Sequence, residues 1–221
     1  MTKTIEITSK LWEMANKLRG TMDASEYKNY ILPFMFYRYL SEHQDEYLRD
    51  NGLEDFYQNP KDIEEYYEDI ARSLGYVIEP QFTWNAIVDS IENHKIKASD
   101  FQDMFEAFHK HAKRNTDSEQ EFANVFFDVN LGDTRLGSGT NERAKALNDI
   151  VLMINEFDFK DESGHDILGD VYEYLIGQFA ANAGKKGGEF YTPHEVSLLM
   201  SEIIAEHLKG RDTIKIYDPT S

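Results

Sequence analysis

Through most of the first 156 positions the apolar residues recur three and four apart, and this helical spacing restricts the fold more than any other feature. Leu11, Met14, Ala15 and Leu18 share one face of a segment over about 8–19, which Gly20 closes. Asp23 with Glu26 forms a capping box that opens a long segment to about 48, with Tyr27, Tyr30, Ile31, Phe34, Met35 and Leu40 as candidate core. Pro33 inside it predicts a kink or a break, because proline removes one ladder hydrogen bond and crowds the preceding turn. An acidic helix is expected over 60–74, with Asn59 as N-cap, Pro60 at its first position and Gly75 as its stop. Three more are expected over 84–94, 100–113 and 119–127, their starts marked by Thr83, by Ser99 with Gln102, and by Ser118 with Glu121. A chain patterned in this way is mainly α, a helical bundle or array.

The clearest interruption is Asn130–Thr140, which contains Gly132, Gly137, Ser138 and Gly139. It admits three readings: a linker between domains, a loop that meets DNA through Arg135, or a long helix connection. Amphipathic helices are expected beyond it, over about 141–156 and 166–181. Gly184-Lys185-Lys186-Gly187-Gly188 follows, either an anion-binding turn or an exposed loop.

Several function classes are disfavoured by composition. With no cysteine the chain has no disulfide scaffold and no thiolate metal site. No apolar run approaches the roughly 20 residues of a membrane span, and the polar start Met1-Thr2-Lys3-Thr4 is no signal peptide, so a cytoplasmic protein is expected. The net charge of −18 argues against autonomous DNA binding, because phosphate neutralisation supplies most of the affinity of stand-alone DNA-binding domains. Solubility and a specific role for that charge both stay open. His109 and His111 are two apart, on different helix faces, and read as solvated histidines near a helix end. Glu64, Glu65, Glu68 and Asp69 read as a charged outer face, and the tyrosines at 27, 30, 37 and 39 as core and boundary positions.

The chemistry lies near the carboxyl end. Thr192 reads as an N-cap, Pro193 as the first helical residue and Glu195 as the partner in a capping box. Thr213–Tyr217 alternates as a short strand does, and Asp218 stands where a ligand-facing turn begins. A helix N-terminus of this kind suits a carboxylate ligand, an aromatic such as Phe190 or Tyr191 suits an adenine or a cationic sulfonium, and Asp218 suits ammonium or hydroxyl groups. Each residue also has a plain structural reading: Thr192 as a cap, Tyr191 as core, Asp218 as a turn former before Pro219.

Tyr191-Thr192-Pro193 before a helix, with Asp218-Pro219-Thr220-Ser221 closing a strand, resembles the S-adenosylmethionine site of the amino-methyltransferases that modify adenine in DNA. Asp166-Ile167-Leu168-Gly169-Asp170-Val171-Tyr172-Glu173-Tyr174-Leu175-Ile176 and Lys186-Gly187-Gly188 are similar to the modification subunit of type I restriction-modification systems. Leu11-Trp12, Leu18-Arg19-Gly20, Ala24-Ser25-Glu26-Tyr27-Lys28 and Phe36-Tyr37-Arg38-Tyr39-Leu40 resemble that subunit's helical N-terminal domain. The resemblance implies cofactor contacts from Glu189, Phe190, Tyr191, Thr192, Pro193, His194, Asp218, Pro219, Thr220 and Ser221. It implies S-adenosyl-L-methionine as cofactor and methyl transfer to N6 of an adenine flipped out of double-stranded DNA. The implied partners are a specificity subunit, a second modification subunit and a restriction subunit, with no membrane.

One departure tempers this. The family's Asn-Pro-Pro-aromatic motif is absent, and Asn59-Pro60-Lys61-Asp62 is no substitute. The chain is therefore expected to be an N-terminal piece without catalytic activity of its own: a helical domain over 1–157, then the incomplete beginning of an α/β methyltransferase domain over 158–221. Two rivals are a single-chain adenine DNA methyltransferase and a non-enzymatic acidic helical interaction module complete at Ser221.

Overall fold

Every regular element among the described residues is helical, as the spacing predicts. The structure is a computed structural model, and it describes residues 3–18, 24–53, 63–114, 122, 125–159, 167–172, 174–175, 194–210 and 215. The chain divides into two compact units, Met1–Asn182 and Ala183–Ser221.

In the first unit α1 spans Lys3–Leu18, α2 Ala24–Asp50, α3 Ile63–Leu74, α4 Trp84–Glu92, α5 Ala98–Ala112 and α6 Thr140–Asn155. Of these, α2 is the central strut, packing against α1, α4 and α6. It runs unbroken through Pro33, so of the expected kink or break the break does not occur. Ile31, Leu32, Phe34 and Met35 on either side of the proline are all buried, so tertiary packing outweighs one lost hydrogen bond. The carbonyl left without its partner belongs to Asn29, which is exposed to water.

The caps agree with the sequence in part. Thr83 caps α4, its hydroxyl accepting from the Ala86 amide at 3.3 Å. Gly75 ends α3 with φ of 82°, a conformation that glycine adopts without strain. The start of α5 differs from expectation: Lys97 is the N-cap residue, and the Asp100 carboxylate accepts from its amide at 2.8 Å. Ser99 therefore lies inside the first turn, since Asp100 takes the reach-back role that Gln102 would have filled. The helix expected over 119–127 is also corrected. Phe122 is helical, but 125–128 form a turn, and Ser118 and Glu121 lie outside the described residues. Phe126 there inserts into the core instead of continuing a helix face.

The main core is aromatic. Phe34, Tyr37, Phe101, Phe105, Phe108 and Phe126 are buried together, with the Phe105 and Phe126 rings stacked at 4.8 Å and Phe34 meeting Phe101 edge-on at 5.7 Å. A second, smaller cluster lies under α3 and comprises Leu48, Tyr67, Ile70, Ala71 and Val77. Helical turns at 168–172 and 174–175 contribute Ile167, Leu168, Val171 and Leu175 to the main core.

Segment 76–79 is extended and buried at Tyr76, Val77 and Ile78 without a sheet to satisfy it. Gln44 takes the place of a neighbouring strand. Its amide donates to the Ile78 carbonyl at 2.9 Å and its side-chain oxygen accepts from the Ile78 amide at 2.7 Å.

In the second unit α7 spans His194–Leu208. Val196, Leu199, Met200, Ile203 and Ile204 form one stripe at helical spacing, with Leu198 opposite, and all six are between 45% and 61% exposed. Of the strand expected at 213–217, only Lys215 is described; it is exposed and belongs to no regular element.

Candidate functional site

Of the residues expected to hold a cofactor, Glu189, Phe190, Tyr191, Thr192, Pro193, Asp218, Pro219, Thr220 and Ser221 lie outside the described residues. His194 is the first residue of α7. Of the capped helix expected from Thr192 and Pro193, the described part is α7, and the amino end of a helix carries the positive pole of its dipole. The Asn59–Pro60 cap and the Gly184–Gly188 segment also lie outside the described residues.

The first unit has a groove of its own, about 290 Å³, between the second half of α2 and the chain after α6. Arg38 lines it and is tied down through Nε and Nη1. The guanidinium donates to Glu42 at 2.7 Å and to the carbonyls of Ile154 and Phe157 at 2.7 and 2.8 Å, and it lies 4.9 Å from the Phe159 ring centroid. A planar fork suits this task, because it reaches one carbonyl in the last turn of α6 and one in the chain just after it. Glu42, Asp45, Glu46 and Asp158 line the groove with Arg38 and Arg49, a balance that repels phosphate. Arg38 was legible as part of the Phe36–Leu40 motif; its clamp role was not, since its partners are over a hundred residues away.

His111 departs from the solvated reading. It is 0% exposed, donates or accepts at Nε2 with Glu79 at 2.7 Å, and accepts at Nδ1 from Arg114 Nε at 2.8 Å. Arg114 continues to α3, donating to Glu64 at 2.8 Å and to Glu68, and its guanidinium lies 5.7 Å from the Tyr67 ring centroid. Burial pulls the His111 ring below its ordinary titration range, and Glu79 only partly opposes this. Burial and the nearby Glu79 charge push the Tyr67 phenol up to about 12. Glu64 and Glu68 therefore do lie on an outer face, as expected, but they also anchor Arg114. Tyr30 and Tyr37 are core and Tyr39 is a boundary residue, as the spacing predicts.

The 130–140 stretch is a packed helix connection within the first unit, not a linker between the two units. Leu136 is buried, and the Tyr30 hydroxyl donates to the Asn130 carbonyl at 2.9 Å. Arg135 pairs with Asp133 through Nη2 at 2.6 Å and Nε at 3.0 Å, holding that carboxyl down at about 2. Glu142 reaches back to the Ser138 amide at 2.8 Å and the Ser138 hydroxyl at 2.6 Å, fastening the start of α6. At Gly137 a Cβ would stand 2.8 Å from the Arg143 amide nitrogen, so the turn requires glycine. Among the described residues no group of three His, Asp or Glu is placed to hold a metal ion, and no helix is long and apolar enough to cross a membrane.

Comparison with known proteins accounts for this arrangement. The HsdM N-terminal domain family matches residues 7–154, and the N-6 DNA Methylase family matches residues 163–221. The type I restriction enzyme MpnII methylase subunit of Mycoplasma pneumoniae is 33% identical over 96% of this chain and 41% of its own length. The MjaIX methylase subunit of Methanocaldococcus jannaschii is 26% identical over 98% of this chain and 37% of its own length. The crystal structure of a type I restriction-modification system methyltransferase subunit from Streptococcus thermophilus superposes with a TM-score of 0.76 at 30% identity, over 95% of this chain and 45% of that one. The chain thus spans well under half the length of these relatives. With the HsdM N-terminal domain matched over most of its length and the methylase family over the segment that follows, the chain belongs to the family of type I restriction-modification methylase subunits.

Proposed function

We propose that this chain serves in a type I restriction-modification DNA methyltransferase that moves a methyl group from S-adenosyl-L-methionine to N6 of adenine. The observation that carries this reading is the order of the two matched families in one chain, helical HsdM domain first and N-6 methylase segment second. When bound, the cofactor supplies an electrophilic methyl on a sulfonium. In this chain Thr192 and the amides opening α7 would hold its carboxylate, and Phe190 or Tyr191 would meet its adenine or sulfonium. Asp218 would accept from its ammonium or hydroxyl groups, with Pro219, Thr220 and Ser221 next in sequence as further contacts. This donor set fits the ligand: a helix amino end for an anion, an aromatic face and a carboxylate for cationic groups. Glu189 and His194 would contribute at either end of the first motif.

Two further observations support the reading. The exposed stripe on α7 suits a helix packed against the sheet of a methyltransferase domain. The −18 charge and the acidic groove suit a subunit that leaves most phosphate contacts to others. Accordingly the working assembly contains a specificity subunit, a second modification subunit and a restriction subunit on double-stranded DNA, in the cytoplasm, with the target base flipped from the duplex. The methyltransferase domain is proposed to begin near residue 158, after a helical domain over 1–157.

The test is labelled-methyl incorporation into DNA by the intact modification subunit mixed with its specificity subunit, followed by nucleoside analysis. N6-methyladenine is expected, and Asp218→Ala should lower incorporation at least about tenfold, the loss of one charge-assisted contact. Label on cytosine, or no label with both subunits folded and DNA bound, overturns the reading.

A further inference from the structure

We infer that His111, fixed between Glu79 and Arg114, is a pH-sensitive latch that holds α3 on α5 while neutral and releases it when protonated. The hydrogen-bond inventory leaves one tautomer. A guanidinium has donors only, so the 2.8 Å contact makes His111 Nδ1 the acceptor from Arg114 Nε. The ring proton then sits on Nε2 and is donated to Glu79 at 2.7 Å. A proton added from solvent can go only to Nδ1, where it would face the Arg114 N–H, donor against donor. Arg114 must then leave, and with it go its hydrogen bonds to Glu64 and Glu68 and its place over Tyr67.

The groups facing the ring come from each element around it. Glu79, from the extended segment, favours the added proton, whereas Arg114 and Lys110 on the α5 side oppose it. Tyr67 of α3 contributes a neutral ring at 4.6 Å, and Glu64 and Glu68 reach the imidazole only through Arg114. Burial of the ring decides the balance for the neutral form. What then still holds α3 is the small cluster of Leu48, Tyr67, Ile70, Ala71 and Val77 and the Tyr47 hydroxyl donating to Ser73 at 2.9 Å, against a much larger core under α5 and α6, so α3 is the element poised to move.

The sign follows from linkage. The docked state binds the proton less well than the open one, so docking is at full strength above the ordinary histidine value of about 6.5 and weakens as pH falls below it. Amide hydrogen exchange on the intact chain, corrected for intrinsic rates, should show α3 protection falling relative to α5 and α6 by up to about tenfold per pH unit below about 6.5. His111→Gln cannot be protonated, and its amide can still donate to Glu79, so its α3 protection should be flat. Wild-type α3 protection that tracks α5 at every pH overturns the latch, as does full pH dependence in His111→Gln, which would assign the effect to carboxylates. If that variant fails to fold, the imidazole nitrogen shifts of the wild type decide. Nδ1 unprotonated, with titration below the ordinary value, supports the latch; Nδ1 protonated, or ordinary titration, overturns it.

Discussion

The main core around Tyr37 and the small cluster under α3 are both closed by apolar side chains, yet they depend on different forces. Around Tyr37 six aromatic rings interlock, and polar groups at the edge, such as the Tyr37 hydroxyl donating to the Phe82 carbonyl at 3.0 Å, are satisfied locally. Under α3 five residues are buried, and the helix is tied down through the polar chain Glu79, His111, Arg114, Glu64 and Glu68. Area lost to water is indifferent to pH, whereas a hydrogen-bonded histidine is not. Two neighbouring parts of one unit therefore answer differently to acid, salt and truncation of a side chain.

The contrast can be broken hardest in the main core. Phe34→Ala leaves a void facing Phe101 and Phe105 and should lower global stability by about 3–5 kcal/mol, read from urea unfolding. Ile70→Ala removes a fully buried side chain of α3 and should cost about 2–5 kcal/mol in α3 hydrogen exchange, with α5 and α6 protection unchanged. Equal loss of protection in all three helices would show that the two cores melt as one. Gln44→Ala leaves both backbone groups of Ile78 unpaired where the cores meet, and about 1–3 kcal/mol of destabilisation is expected by thermal and urea melts. The smallest effect belongs to Asp133→Asn. The folded carboxyl titrates at about 2, below its unfolded value of about 3.9, so its contribution is present above about pH 4 and lost as pH falls toward 2. Acid unfolding of the variant should be flatter in that window than that of the wild type, and an identical profile would count against the Arg135 pairing.

What was legible in the sequence was local. The helices from α1 to α6 follow from apolar spacing, and the Thr83 cap follows from a hydroxyl three residues before the amide it accepts from. The Asn130–Thr140 stretch was legible as a break but not as a packed connection, because that depends on Tyr30, a hundred residues earlier. His111 looked like a surface histidine, since nothing within its own helix announces Glu79 or Tyr67. Likewise Pro33 looked like a breaker, because helix propensity is a local quantity and the burial of Phe34 and Met35 is not. The cofactor residues proposed at Glu189–His194 and Asp218–Ser221 rest on the resemblance of short motifs, and of them only His194, in α7, is among the described residues.

By itself, then, the sequence determined the helical class and the family, because periodicity, caps and short motifs are written within a few positions of one another. Only the tertiary structure decided that Gln44 stands in for a strand beside Ile78, that Arg38 closes the end of α6 and that His111 is buried between Glu79 and Arg114. Each of those rests on a polar group losing water and finding its replacement on a distant element, which no local pattern encodes.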